Sequence, residues 1–134
     1  MGTREQVADI MAALARGDRR PLIDAMRDDV TWRWMGVERW SHEFVGKDAV
    51  VGELFGAVDE TLDVDSATTV HRIMADGDHV VVEHTGTSRT PDGRAYDNNY
   101  CWVLDLDGAG AIRTVREYMD TDLVTRTFGA DDHV

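Results

Sequence analysis

The sequence predicts an α+β fold in which helices come first and a long antiparallel sheet follows. Apolar residues recur with a helical period in the first part of the chain and alternate with polar residues, as in strands, after residue 62. Asp-Gly pairs at 76–77, 92–93 and 107–108 lie between the alternating segments and are typical of tight hairpin turns. Helices followed by such a meander are expected to pack on one face of the sheet.

The first part of the chain is predicted to form three helices and one strand. A capping box at Thr3–Gln6 begins the first helix, and Gly17 ends it as a left-handed residue. Asp18 is the expected cap of a short second helix that contains Pro21. A third helix is predicted over 47–57, and alternation of apolar and polar side chains predicts a strand over 30–35. The apolar stripe of the first helix consists of Val7, Ile10, Met11 and Leu14.

The remainder is predicted to form four strands, near 62–74, 79–90, 95–106 and 111–119. Asp120 or Thr121 is the expected cap of a last short helix that ends near Phe128. A length of 134 residues with 43% hydrophobic residues fits one domain over 1–134 with a sizeable core.

The charge and composition exclude several classes of partner. A net charge of −12 argues against binding to nucleic acid or to an anionic lipid surface, since both need clustered cations. No stretch approaches the roughly 20 apolar residues of a membrane span, and the N-terminus lacks the apolar centre of a signal peptide. The single cysteine, Cys101, suits a reducing compartment. We therefore expect a cytoplasmic protein without nucleic-acid or membrane partners.

The parity of the strands predicts which side chains share a face of the sheet. If the second Asp-Gly turn pairs Thr90 with Ala95, the opposed residues of these two strands lie on one face. Across the third turn, both registers considered place Glu117 on the same face, opposite either Tyr100 or Trp102. The predicted face comprises Glu83, Thr85, Thr87, Asn98, Tyr100, Trp102, Val115, Glu117 and Met119.

Two carboxylates among aromatic side chains indicate a functional site, because burying an unpaired charge is costly. Glu83 and Glu117 are predicted on the first and third of three adjacent strands, which are spaced about 4.8 Å apart. Side chains of this length could flank a ligand or share one proton, and their repulsion would raise one pKa toward neutrality. Alternatively, both point outward or form ordinary ion pairs with arginine. The candidate arginines are Arg33, Arg113 and Arg116.

Four segments resemble SnoaL-like proteins of the nuclear transport factor two-like, or ketosteroid-isomerase-like, superfamily. They are Trp32-Arg-Trp34-Met-Gly, Phe44-Val-Gly46-Lys-Asp-Ala, Tyr96-Asp-Asn98-Asn-Tyr100-Cys-Trp-Val and Ile112-Arg-Thr-Val-Arg-Glu117-Tyr-Met-Asp120-Thr. The resemblance implies a cone-shaped, curved antiparallel sheet that packs against N-terminal helices and encloses one apolar pocket, usually in a homodimer. It also implies that Glu117 occupies the acid–base position of SnoaL-like polyketide cyclases.

The same resemblance argues against epoxide hydrolysis of the limonene type. The Arg-x-Asp pair and the last-strand Asp of limonene epoxide hydrolase match Glu83, Thr85 and Glu117, so only the last position keeps its carboxylate. The Tyr and Asn that activate water in that enzyme match Trp32 and Trp34, which cannot position a water in the same way.

The histidines and the cysteine do not predict a metal site, and the outer face of the sheet is mixed in character. Cys and His lack zinc-type spacing, so neither a metal nor an organic cofactor is expected. His79 and His84 fall on opposite strand faces, whereas the parity does not assign a face to His42 or His71. Trp40 is a candidate lid or dimer contact. The sheet face opposite the aromatic one is expected to form a homodimer interface through Ile112, Thr114, Arg116 and Tyr118.

The predicted function is a SnoaL-like enzyme that performs isomerisation, cyclisation or elimination on a hydrophobic carbonyl compound. Glu117 is the predicted proton-transfer group, Glu83 is a second catalytic carboxylate, and Asn98 and Tyr100 hydrogen-bond to substrate oxygen. The expected substrate-binding residues are Asn98, Tyr100, Trp102, Trp32, Trp34, Thr85 and Met119. The alternatives are a non-catalytic domain that binds a small apolar molecule in the same pocket, and a structural dimer whose cavity is filled by its own tryptophans.

Overall fold

The computed structural model describes residues 2–36, 42–62 and 66–129, so Trp40 lies outside the described residues. The elements in chain order are α1 (Thr3–Ala15), α2 (Arg20–Ala25), β1 (Met26–Trp34), β2 (Glu43–Val45), α3 (Lys47–Ala49), a π-helical stretch (Val50–Phe55), α4 (Gly56–Thr61), β3 (Ala67–Asp76), β4 (His79–Arg89), β5 (Ala95–Leu106), β6 (Ile112–Met119) and α5 (Thr121–Phe128). None of the described helices is long and apolar enough to cross a membrane.

The six strands form one curled, unclosed sheet in the order β2-β1-β6-β5-β4-β3. Strands β3 to β6 pair as an antiparallel meander, which confirms the predicted α+β fold. Strand β1 lies beside β6 and runs parallel to it, a long-range pairing that places the N-terminal strand next to the last strand. The three-residue strand β2, which the sequence pattern does not predict, pairs with β1 at the sheet edge.

Helix α1 buries its predicted apolar stripe, with Val7, Ile10 and Met11 inside the core. Gly17 follows the helix with a φ of 81°, the left-handed conformation predicted for its end. The predicted capping box is wrong, because the Thr3 hydroxyl donates to the carbonyl of Gly77 at 2.7 Å instead of capping the helix. The same bond ties the start of α1 to the turn between β3 and β4.

The third predicted helix is longer than expected and contains a π-helical stretch. Helical structure runs from Lys47 to Thr61, with a wider turn over Val50–Phe55. Leu54 and Phe55 are buried there, and the Phe55 ring meets the Trp32 ring edge-on. The last helix begins as predicted, since the Asp120 side chain accepts a hydrogen bond from the Leu123 backbone at 3.1 Å.

The second Asp-Gly turn is one residue shorter than the parity argument assumes. The Thr90 backbone donates to the carbonyl of Arg94 at 2.9 Å, so the loop is Pro91-Asp92-Gly93, with Gly93 at a φ of 90°. Val82 therefore opposes Trp102, and His84 opposes Tyr100. Because a one-residue shift moves every side chain of a strand to the other face, the predicted facing of β4 is reversed.

The third turn keeps the predicted parity near Glu117. A bulge lies between the pairs Asp105–Thr114 and Leu106–Ile112, and Glu117 opposes Trp102, one of the two registers expected. The bulge turns Ile112 into the core, where it is fully buried, so its predicted place on the outer face is wrong.

Candidate functional site

Glu117 is a buried carboxylate held by tryptophan side chains. Its residue is 7% exposed, and its two carboxylate oxygens accept separate hydrogen bonds from indole N–H groups. Trp32 Nε1 donates to Oε1 at 3.0 Å, and Trp102 Nε1 donates to Oε2 at 2.8 Å. The Trp34 indole makes a third and smaller contribution to stabilising the ionised form of this carboxyl group. We call Glu117 and these three tryptophans the indole cage.

The sheet order explains how the chain assembles the indole cage. Strand β6 lies between β1 and β5, so Glu117 has Trp34 as its neighbour on one side and Trp102 on the other. Alternation along β1 places Trp32 two residues from Trp34 on the same face, beside Val115. The cage therefore depends on the parallel pairing of β1 with β6.

The tryptophan rings are packed edge-to-face. The Trp32 and Trp102 ring centroids are 4.9 Å apart at an interplanar angle of 81°, and Trp34 meets Phe44 at 5.3 Å and 81°. Trp32 is 1% exposed, whereas Trp34 is half-buried. This packing fixes the direction of each indole N–H and hence the orientation of the carboxylate.

Burial raises the pKa of Glu117, and the hydrogen bonds from Trp32, Trp102 and Trp34 oppose this rise because they stabilise the ionised form. The indole side chains that hold the carboxyl group are neutral, so they balance the anion with dipoles and not with a positive charge. A carboxyl group with a raised pKa is a stronger base than an ordinary carboxylate and so takes up a proton more readily.

Three of the predicted site residues lie on the cage side of the sheet: Tyr100, Asn98 and Met119. The side chain of Asn98, however, forms hydrogen bonds within the protein. Its Nδ2 donates to Tyr96 Oη at 2.9 Å and to the carbonyl of Asp120 at 3.2 Å. Its Oδ1 accepts from the Asp120 backbone at 3.1 Å. Asn98 thus anchors the start of α5 to β5, and both of its donor hydrogens have protein partners.

The predicted pair of carboxylates is wrong. The side chain of Glu83 is 49% exposed and lies 3.7 Å from Arg72 on the face of the sheet opposite Glu117, because β4 is shifted by one residue. Thr85 lies on that outer face too, where its hydroxyl donates to Asn99 at 2.9 Å. Neither residue shares the buried site with Glu117.

His84 is the interior residue that the sequence analysis missed. It is 4% exposed, stacks on Tyr100 with centroids 5.2 Å apart, and meets Trp102 edge-on at 4.5 Å. Its Nδ1 atom has no hydrogen-bond partner within the described part of the chain. Burial lowers the pKa of His84 to about 4, so the imidazole is neutral at pH 7.

The other described histidines lie outside the cage. His71 Nε2 is 2.7 Å from the Thr85 hydroxyl on the outer face, and His79 Nδ1 is 2.7 Å from Asp105. The exposed His42 ring packs edge-on against Phe44 at 4.6 Å. Residues 2–36, 42–62 and 66–129 contain no group of three or more His, Cys, Asp or Glu side chains that could hold a metal ion.

A surface cavity of about 270 Å³ lies beside the turn between β4 and β5, and its lining includes no residue of the indole cage. Its lining residues are Glu60, Thr61, Thr90, Pro91, Asp92, Arg94 and Phe128. None of them is a predicted site residue. The enclosed apolar pocket and the homodimer that the resemblance implies stay predictions.

A family model for the SnoaL-like domain matches residues 7–115. The chain belongs to the SnoaL-like domain family. The matched range includes strand β1, which carries Trp32 and Trp34, and it also includes His84 and Trp102. It ends two residues before Glu117. No match was found among curated proteins.

Solved structures show the same fold as this SnoaL-like domain. An NTF2-like protein from Burkholderia thailandensis has a TM-score of 0.82 at 20% identity, with 94% of this chain and 96% of that chain covered. An NTF2-like protein from Burkholderia xenovorans has a TM-score of 0.71 at 22% identity, covering 92% and 93%. A protein of ketosteroid isomerase-like fold from Catenulispora acidiphila, solved with trimethylamine, has a TM-score of 0.76 at 17% identity, covering 97% and 98%.

The stability of this SnoaL-like domain is expected to fall between pH 6.5 and pH 4 through His84. The pKa of His84 is lowered from 6.5 to about 4, so the unfolded chain binds more protons than the folded chain in this interval. At about 1.4 kcal/mol per pH unit, the loss is on the order of 3 kcal/mol. Urea denaturation of wild type and His84→Phe across pH 4–8 measures it as the extra loss of stability in wild type, since both proteins share the acid-side loss from other carboxylates with lowered pKa values.

Titration of Glu117 changes the stability of the domain with pH in the opposite sense to His84, so its effect is separated with its own variant. Its pKa is raised, so its favourable contribution is complete below the ordinary value of 4.5 and is lost as the pH rises through the folded-state pKa. In the Glu117→Gln variant, the acid-side loss from His84 should consequently be steeper than in wild type. Parallel stability curves for wild type and His84→Phe would contradict the assignment to His84.

Proposed function

We propose that this SnoaL-like domain is a small-molecule enzyme that transfers a proton on a hydrophobic carbonyl compound, with Glu117 as the acid–base group. The observation that supports this most strongly is the indole cage. Its buried carboxyl group has a raised pKa, accepts hydrogen bonds from the N–H groups of Trp32 and Trp102, and is also stabilised in its ionised form by Trp34. Membership in a family that contains isomerases and cyclases agrees with this chemistry.

The cage favours a reaction in which one group, Glu117, both removes and returns a proton. Indole N–H groups donate hydrogen bonds and cannot accept a proton from Glu117. A proton taken from a substrate carbon is therefore returned by Glu117 or exchanged with solvent, and it is not passed on through the indoles. Return at a different carbon is an isomerisation, which the cage favours over elimination, where the enzyme must also protonate a leaving group.

The aromatic surroundings fit an apolar substrate. Tyr100, Trp102 and Met119 lie on the cage side of the sheet, next to the apolar side chains of Val82 and Val115. Apolar lining with few polar groups is typical of small-molecule sites, where the polar groups fix the orientation of the ligand. Binding of a small apolar molecule and formation of a homodimer belong to this proposal.

Exchange of α-protons in D₂O tests the proposal. Wild-type protein is incubated with cyclohexanone, 2-tetralone or acetophenone, and loss of the α-proton signal is followed by NMR. We expect exchange that rises in proportion to protein concentration for at least one ketone. The Glu83→Gln variant is the matched control, because Glu83 is an exposed carboxylate on the other face, and it should exchange at the wild-type rate.

A second candidate function is binding without catalysis, with a small organic cation as ligand. Glu117 is paired with neutral indoles in the structure, so a bound cation would supply the opposite charge, and aromatic rings attract cations. The Catenulispora acidiphila protein of similar fold was solved with trimethylamine. Saturable quenching of tryptophan fluorescence by trimethylamine, with no exchange of any ketone, would favour this second candidate over catalysis.

A further inference from the structure

His84 is a polar side chain placed where the sheet otherwise presents apolar groups. It follows Val80 and Val82 on the same face of β4, and both valines are fully buried. His84 itself is 4% exposed, and its Nδ1 lacks a hydrogen-bond partner among the described residues. A buried polar atom without a partner is rare in folded proteins and calls for a specific explanation, such as contact with a ligand.

The ring of His84 is held in one orientation by its aromatic neighbours. It stacks on Tyr100 at an interplanar angle of 19° and meets Trp102 at 81°. Tyr100 in turn lies against Gly86, where a Cβ atom would come within 3.0 Å of the Tyr100 ring. The glycine thus lets Tyr100 approach the strand and support the imidazole, as expected of a glycine within a strand.

Trp102 connects His84 to the indole cage. The indole of Trp102 packs against His84 and also donates its N–H to Glu117 at 2.8 Å. His84 and Glu117 therefore contact the same indole and lie on the same side of the sheet. A small molecule that lies along Trp102 would have one polar group near each of its ends.

We propose that neutral His84 binds the carbonyl oxygen of the substrate through Nδ1–H, while Glu117 removes a proton from the adjacent carbon. This inference rests on the proposed function and names its substrate class as ketones with an exchangeable α-proton. The C–H electron pair forms the new C=C bond as the carbonyl π electrons move to oxygen, giving an enolate. The Nδ1–H group stabilises the charge on oxygen, and Glu117 returns a proton, or a deuteron once its carboxyl group has exchanged with D₂O.

The neutral state of the imidazole suits this role. Burial lowers the pKa of His84 to about 4, so the ring donates a hydrogen bond at pH 7 without carrying a positive charge. A neutral donor stabilises an enolate without losing its own proton, since its N–H is a very weak acid. The charged or titratable groups nearest to it on the adjoining strands are His71 on β3 and Tyr100 on β5.

Two variants at position 84 test the inference. His84→Phe keeps an aromatic ring for packing against Tyr100 and Trp102 but has no donor, and His84→Gln restores one. With the ketone that wild type exchanges fastest, we expect His84→Phe to be about 100-fold slower or more, as for loss of one oxyanion donor, and His84→Gln to recover part of that loss. Circular dichroism and urea denaturation establish that both variants are folded.

A direct readout does not depend on turnover. Protein labelled with ¹⁵N at histidine is titrated with 2-tetralone labelled with ¹³C at the carbonyl, and His84→Phe identifies the His84 signals. We expect the ¹⁵N signal of Nδ1 to shift and the ¹³C signal of the bound carbonyl to move downfield, and we expect neither change in His84→Phe.

Two outcomes would overturn the role of His84 and leave Glu117 as the base: exchange at the wild-type rate in His84→Phe, or a carbonyl shift that persists in this variant. A wild type that binds the ketone with both shifts but exchanges no proton overturns the proposed function instead.

Discussion

The Glu117→Gln variant is expected to exchange ketone α-protons about 10²–10⁴ times more slowly than wild type. Glutamine has nearly the same shape as glutamate but cannot take up a proton at neutral pH. The loss should appear in kcat, because binding of an apolar ketone depends mainly on the surrounding aromatic side chains. The measurement is the α-proton exchange rate at saturating ketone.

Folding of this variant has to be established separately. In wild type, Trp32 and Trp102 donate to different oxygens of Glu117, whereas glutamine offers one oxygen and one NH₂ group. One indole N–H then faces another donor, and an unsatisfied buried group costs about 1–3 kcal/mol. A lower free energy of unfolding with an intact near-UV tryptophan spectrum fits this expectation. Wild-type exchange by folded Glu117→Gln would rule out Glu117 as the base.

The pH dependence of wild-type exchange provides an independent check. A base acts in its ionised form, so the exchange rate should rise as the pH increases through the pKa of Glu117 and level off above it. Because burial raises this pKa, the midpoint should lie above 4.5. A midpoint at or below pH 4.5 would show that the base is not a carboxyl group with a raised pKa.

The two hairpins of the meander show when alternation along a strand predicts the correct face for its side chains and when it does not. Between β5 and β6 the alternation predicts the face of Glu117 correctly, and Glu117 lies opposite Trp102, one of the two expected partners. Between β4 and β5 the predicted turn is one residue too long. Glu83 and Thr85 are therefore predicted in the interior, whereas the structure places His84 there. A single residue in a turn decides the facing of a whole strand, so parity is only as reliable as the turn that sets it.

The sequence contained a signal for the correct turn. Three-residue hairpin loops end on a left-handed residue, and Pro91-Asp92-Gly93 fits that rule, with Gly93 in the required conformation. Applying the rule would have placed His84 opposite Tyr100 and left Glu83 outside. The bulge in β6 is harder to predict, because the extra residue carries no local sequence pattern that separates it from a regular strand.

The indole cage itself could be predicted only in part. Alternation along β1 predicts that Trp32 and Trp34 share a face, and parity predicts the same for Trp102 and Glu117. Their meeting depends on the parallel pairing of β1 with β6, which joins segments about 85 residues apart, as in the hydrogen bond from Trp32 to Glu117. Local sequence patterns do not specify such long-range pairings.

Trp32 is expected to be among the most costly positions of the domain to truncate. Its side chain is 1% exposed, and its ring packs against both Phe55 and Trp102. Trp32→Ala should lower the free energy of unfolding by about 3–5 kcal/mol through the lost packing and the cavity left behind. Urea denaturation at pH 7 measures this loss. Val45→Ala is the control, because Val45 is 64% exposed and should change stability by about 0.5 kcal/mol or less.

The Trp32→Phe variant separates packing from the hydrogen bond to Glu117. Phenylalanine fills much of the space but leaves Oε1 of Glu117 without its donor, so the pKa of Glu117 should rise further. If this hydrogen bond matters for stability, Trp32→Phe and Glu117→Gln will not be additive in a double-mutant cycle, because both remove the same interaction. Additive losses would mean that Trp32 stabilises the domain through packing alone and that the carboxylate is oriented by Trp102 and Trp34.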